Sequence, residues 1–263
     1  MEQGTTELGT KVNGNAVATT LAADWGLDDA VRSELIIIPK MLCMQKTSKL
    51  CDDEASEIRP GFLVDSVSHK VLTEKDASVE VVPLTFNETW ELYDISGGTP
   101  KWVGSEPLTA ANASSPWLYD EDGQKFRRDM TINMFVLLKS EVLAAADPKA
   151  SPVDGLFPYQ ISFSRTSHRA GKVIATQFAL AQQLGQPAAR YVFAISTEKK
   201  SGDDNTWYVF NAKKVGILTD AELGECREWY KTIKAGKNIK VDDSEHEHVV
   251  RHDIGDITGA PEF

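Results

Sequence analysis

Residues 155–172 read Gly155-Leu-Phe-Pro-Tyr-Gln-Ile-Ser-Phe-Ser-Arg-Thr-Ser-His-Arg-Ala-Gly-Lys172, and the chain runs on to Tyr191-Val-Phe-Ala-Ile-Ser-Thr197. Tyr159, Ile161, Phe163 and Arg165 alternate with Gln160, Ser162 and Ser164, the two-residue period of a strand. Thr166 or Ser167 can cap a helix. Ala170, Ile174, Phe178 and Ala181 then recur at helical spacing and give one apolar stripe. Gly185 and Pro187 stop that helix, and Tyr191–Thr197 resumes as a strand. The stretch therefore predicts one helix set into a series of strands. It also holds no acidic residue, although the chain has 39. Even spacing would put about six there. Arg165, Arg169, Lys172 and Arg190 lie in it among aromatic residues, a composition suited to a polyanion with stackable bases.

Working outward, Leu35–Pro39, Val79–Phe86, Thr89–Tyr93 and Thr131–Lys139 read as strands, with a turn at Pro60-Gly61 before Phe62-Leu-Val. Met41–Leu50 predicts a brief helix, and residues 104–125 and 144–155 predict loops. Tyr191–Thr197 and Thr206–Val215 form a hairpin, and Thr219-Asp-Ala-Glu opens a last helix carrying Cys226, Trp229, Tyr230 and Ile233. Residues 1–33 read as a flexible segment, 34–236 as a single β-rich domain and 237–263 as an acidic flexible tail. The expected fold is mainly β with inserted helices (α+β), an oligonucleotide-binding (OB) type Greek-key barrel with extended ends.

Net charge is −11 over 263 residues, which argues against non-specific attraction of the whole surface to nucleic acid or anionic lipid. The charge is uneven. Residues 1–151 carry 14 Lys and Arg against 24 Asp and Glu; residues 152–241 carry 13 against 8; residues 242–263 carry 1 against 7. Three cysteines with no Cys-x-x-Cys pair point to a reducing cytoplasm rather than a disulfide framework or zinc site. No signal-peptide pattern and no apolar run of membrane-spanning length occurs. Phosphate-loop, nucleophile-elbow and His-Glu-x-x-His patterns do not occur. Asp120, Glu121 and Asp122 read as a solvated turn, and His246, His248 and His252 as part of a flexible tail, so no metal, cofactor or catalytic residue is assigned. The expectation is a protein that binds rather than catalyses.

Arg165, His168, Arg169 and Lys172 crowd the start of the predicted helix, where a cation costs a few tenths of a kcal/mol and an oxyanion would reverse the sign. Carboxylates from residues 1–151 are the alternative partners. Tyr159 shares a strand face with Arg165, and Trp207 shares one with Lys213, each pairing a ring with a phosphate-sized charge. Lys199 and Lys200 sit on the hairpin, where they either clamp a passing strand or form a solubilising turn.

The order Ile38-Pro39…Gln45, Pro60-Gly61-Phe-Leu-Val-Asp-Ser-Val-Ser68, Val81-Val-Pro83…Trp90 and Ile161-Ser-Phe-Ser-Arg-Thr-Ser167…Gly171-Lys172 resembles a family of tailed-bacteriophage proteins. The resemblance spans residues 35–235 and implies single-stranded DNA binding through an OB fold. It implies sequence-independent binding of single-stranded DNA in phage replication or recombination, inside the host cytoplasm. The end of the chain is similar to the acidic, Phe-terminated tails of bacterial and phage single-stranded DNA-binding proteins. That likeness implies recruitment of replication proteins through Asp253, Asp256, Glu262 and Phe263, and competition of the tail for a cationic groove. The tail departs from that pattern in placing Glu262 before Phe263 and in carrying His residues and Arg251. The alternative expectation is a phage virion structural or assembly protein. Homo-oligomerisation is left open.

Overall fold

The longest strand, β5 (Ser78–Asp94), joins two stretches that the sequence suggests are separate, and it organises the fold. Asn87 and Glu88 fall between those stretches and are poor strand formers. They are carried by pairing along their whole length with β8 (Lys125–Leu138). The structure is a computed structural model, and it describes residues 37–52, 56–97, 100–113, 117–119, 125–147, 156–202, 205–234 and 240–241.

The chain begins with β1 (Ile37–Ile38), β2 (Met41–Cys43), the short helix α1 (Lys49–Asp52), β3 (Leu63–Asp65) and β4 (Val71–Thr73). Strands β2, β3 and β4 form a small antiparallel sheet. After β5 come β6 (Lys101–Pro107), β7 (Trp117–Tyr119), β8, helix α2 (Lys139–Ala146), β9 (Pro158–Ser164), α3 (His168–Gln183), β10 (Tyr191–Ser201), β11 (Thr206–Ile217), α4 (Asp220–Lys234) and β12 (Lys240–Val241). Two expectations change here. Met41–Cys43 is a strand because its backbone pairs with Leu63–Asp65, and the helix falls later, at Lys49–Asp52. Part of the expected loop 104–125 is strand: β6 continues the pairing of β5, and β7 that of β8. Lys240–Val241, inside the expected tail, pairs in parallel with Ile37–Ile38.

The large sheet has two halves sharing β5 and β8. In the inner half the order is β11-β10-β5-β8-β9, all antiparallel. In the outer half β6 takes the place of β10 beside β5, and β7 that of β9 beside β8. A register shift in β5 between Pro83 and Thr85 marks the passage from one half to the other.

Helices cover both faces of the inner half. On one face Ile174, Ala170 and Ala181 of α3 pack on Ile132, Met134, Phe163, Phe193 and Phe210. Gly171 allows the close approach, since a β carbon there would lie 2.8 Å from Cβ of Phe163. On the other face α2 and α4 bury Val142, Cys226 and Ile233 against Val82, Leu84 and Leu137. The outer half relies on charge and rings. Buried Trp90 faces the Arg128 guanidinium at 6.0 Å, and buried Tyr93 faces Arg127 at 5.2 Å.

The described strands form open sheets, where the sequence suggests a closed Greek-key barrel. Strands β9 and β11 do not pair with each other. The segment from Pro39 to Gln45, which carries β2, touches both edges instead. Gln160 donates to the carbonyl of Pro39 on one side. On the other, the Gln45 amide bonds the backbone N–H and C=O of Tyr208 at 2.9 and 2.8 Å. Two point contacts are no continuous ladder, so the expected closure is replaced by a strap. The fold is mainly β with a few helices.

Candidate functional site

Strand alternation separates the cations that the sequence places together. Phe210 and Ala212 belong to the core under α3, and Lys214 donates to Gln177 of that helix at 3.4 Å. Lys213 and Trp207 alternate with them and so project from the opposite face of β11. Lys200 lies directly across from Trp207, and Lys199 across from Tyr208, so the two lysines point to opposite faces.

A second separation occurs at the start of α3. Arg165 has φ +49, in the left-handed region that branched and long side chains seldom adopt. This kink carries its side chain away from the face that Tyr159, Ile161 and Phe163 share. The guanidinium pairs with Asp129 and lies 5.6 Å from the Tyr93 ring. Alternation alone would keep Arg165 beside Tyr159; the turn into the helix overrides it. Tyr159 itself is 8% exposed and packs in the core. Burial first, and then the Asp65 carboxylate beside it, push its phenol well above the usual range. No face of that ring is open to a base.

The remaining residues divide by partner. Arg169 and Lys172 are exposed on the first turns of α3, Lys199 and Lys213 are exposed on the ribbon, and none has a carboxylate partner among the described residues. Lys200 pairs with Glu198 at 2.6 Å. His168 is half-buried; burial lowers its pKa, Lys172 lowers it further, and Glu88 opposes both. Helix α3 has no acid in its first turn and no side-chain cap, since the Ser167 hydroxyl instead accepts the N–H of Phe210 at 3.0 Å. Trp207 is half-buried.

Of Arg169, Lys172, Lys199 and Lys213, three therefore gather at an edge rather than in a groove, while Lys199 stays on β10. Ser167 meets Phe210 and Gln177 meets Lys214, so α3 runs parallel to β11 along the open side of the sheet. Arg169 and Lys172 border the edge from one face, and Lys213 from the other. Neither α3 nor β11 contains an Asp or Glu. Sequence reasoning missed Gln45 and Lys214, the latter 3.8 Å from the Tyr191 ring centroid. The Lys-Lys pair at 213–214 was the available signal for Lys214, since one of two adjacent strand residues must face the helix. Asp120, Glu121, Asp122 and the tail residues His246, His248, Asp253, Asp256, Glu262 and Phe263 lie outside the described residues. Among the described residues no three His, Cys, Asp or Glu side chains are placed to hold a metal ion, and no helix is long and apolar enough to cross a membrane.

Fold and edge together define a mainly β protein with an open antiparallel sheet, helices on both of its faces, and an acid-free cationic margin. The description Pam3 phage gp34-like protein matches residues 10–239, and the chain belongs to that phage protein family. No curated protein and no solved structure matches it.

Proposed function

We propose that the chain binds single-stranded DNA without sequence preference and without catalysis, along the margin formed by α3 and β11. The observation that carries this reading is the absence of any acid from both elements while Arg169, Lys172 and Lys213 stand exposed beside them. In a chain of net charge −11 such a margin attracts a polyanion that the rest of the surface repels. Phosphates run past the N-terminal turns of α3 and along the edge. Trp207 stacks a base on the opposite face of the strand. The OB-type identity belongs to this proposal as well, with the strap through Gln45 in the place of barrel closure. So do a role in phage replication or recombination and the competition of residues 242–263 for the same cations.

The test is a fluorescence titration with oligo-dT. If about four phosphates are neutralised, raising salt from 50 to 200 mM should weaken binding roughly 50-fold. Trp207→Ala should cost about 1–3 kcal/mol of binding energy. A chain ending at residue 241 should bind more tightly. Absence of binding at low salt would overturn the reading, and co-purification with particles would then favour a virion role.

A further inference from the structure

Beyond its N-terminal half, β11 changes character. The outward N–H and C=O of Tyr208 are satisfied by Gln45, and the outward N–H of Phe210 by the Ser167 hydroxyl. By the same alternation the N–H and C=O of Ala212 and Lys214 point outward with no partner among the described residues; Lys214 is exposed, and Ala212, 9% exposed, is the covered end of the stretch. Apolar side chains flank this open stretch. Val173, Leu180 and Leu184 follow at the spacing that places them beside Gln177, which touches Lys214. Leu184 is 69% exposed, and Ile217 on the strand is 60% exposed. Large apolar side chains exposed around unpaired backbone mark a place where another strand adds.

We propose that Ala212–Ile217 is a docking edge for an extended segment of a protein partner that carries alternating acidic and apolar side chains. Charge selects this occupant. Lys213 and Lys214 project to the two faces of the edge, so an added strand meets a cation whichever face its side chains take. A second copy of the chain would bring the same lysines and be repelled, the usual protection of an exposed edge. An acidic strand converts that repulsion into attraction, which is specificity by charge. The incoming backbone pairs with Ala212 and Lys214, its apolar side chains lie on Leu180, Leu184 and Ile217, and its carboxylates meet the lysines.

The edge shares Lys213 with the nucleic-acid margin but needs neither Arg169 nor Lys172 nor Trp207, and it stands if that reading fails. The probe is a fluorescent peptide of alternating Glu and Val, eleven residues long by design, with a Lys-Val peptide of equal length as control. Anisotropy should rise with the Glu-Val peptide, with amide shifts concentrated at Ala212–Ile217. Affinity should fall by about tenfold or more in Lys214→Glu and in Leu184→Asp. Both positions are exposed, so the variants should melt near wild type. Arg169→Glu/Lys172→Glu should abolish oligo-dT binding while lowering peptide affinity by less than about threefold. No anisotropy change at millimolar peptide, equal binding of the Lys-Val peptide, or indifference to both edge variants would overturn the proposal. Concentration-dependent dimerisation abolished by the same variants would assign the edge to a second copy and overturn it as well.

Discussion

Phe163→Ala should destabilise the protein by about 3–5 kcal/mol, read as a lower denaturation midpoint in urea with unchanged slope. Phe163 is fully buried on β9 and meets the Phe210 ring edge-on, with centroids 5.5 Å apart. Its β carbon also fills the space that Gly171 leaves open. One ring thus joins α3 to both edge strands of the inner sheet, and truncation leaves a cavity that three elements cannot close together. Gly171→Ala tests the same contact from the helix side. In a free helix that change would favour folding by about 1 kcal/mol. Here the new methyl meets Phe163 Cβ and Cγ, not the end of a flexible chain, and overpacking of about 1–3 kcal/mol should reverse the sign. A loss below about 1 kcal/mol for Phe163→Ala would mean that α3 does not sit on β9 as described.

The second large effect lies on the other face. Glu222 accepts from Lys139 of α2, and its other oxygen accepts the Thr219 N–H at 2.6 Å and the Thr219 hydroxyl at 2.8 Å. It therefore closes the N-terminal box of α4 and locks α4 to α2. The two side chains are only 14% and 10% exposed. The Lys139 bond and then the Thr219 N–H hold the carboxyl down to about 2. Lys139→Met should cost about 3–5 kcal/mol, because it leaves a charge buried without its partner. Changing both residues to apolar ones of similar volume should recover much of that loss.

The pH dependence follows from the direction of the shift. Glu222 is more acidic folded than unfolded, so its contribution is fully present above the unfolded value. It fades as pH falls from about 4.5 to about 2. The stability gap between wild type and Glu222→Gln should be flat above that window and shrink within it, by on the order of 2 kcal/mol in urea midpoints. A gap that grows on acidification would contradict the pairing.

Much of the fold could be read directly from periodicity. The strand at Tyr159–Phe163, the stripe of α3, the β10–β11 hairpin and the capping residues of α4 all follow from local patterns. Strands that depend on distant partners were not legible. Lys101–Pro107 contains Gly104 and Pro107 and reads as loop until β5 is there to pair with it. Sheet closure was illegible for the same reason, since it turns on Gln45 reaching Tyr208, 163 residues away.

The candidate site was legible in composition but not in geometry. The acid-free run 155–197 supplies α3 to the margin, and β11, which lies outside that run, also lacks acids. Which cations share that margin depended on one backbone angle, at Arg165, that no spacing rule anticipates. Asp129, from the acid-rich first part of the chain, takes Arg165 out of the group. Arg169, Lys172 and Lys213 are left without a carboxylate partner among the described residues.

Since β5 and β8 run from the helix-clad half into the outer half as one paired ribbon, the outer half is a cantilever with its root clamped between α3 and the α2–α4 pair. Among the described residues the β5–β8 ladder continues from Thr85↔Phe135 to Asp94↔Phe126, beyond the register shift at Pro83/Thr85. Torque applied at Trp90 or Tyr93 would therefore travel down two continuous backbones into the root, rather than being absorbed by a loop.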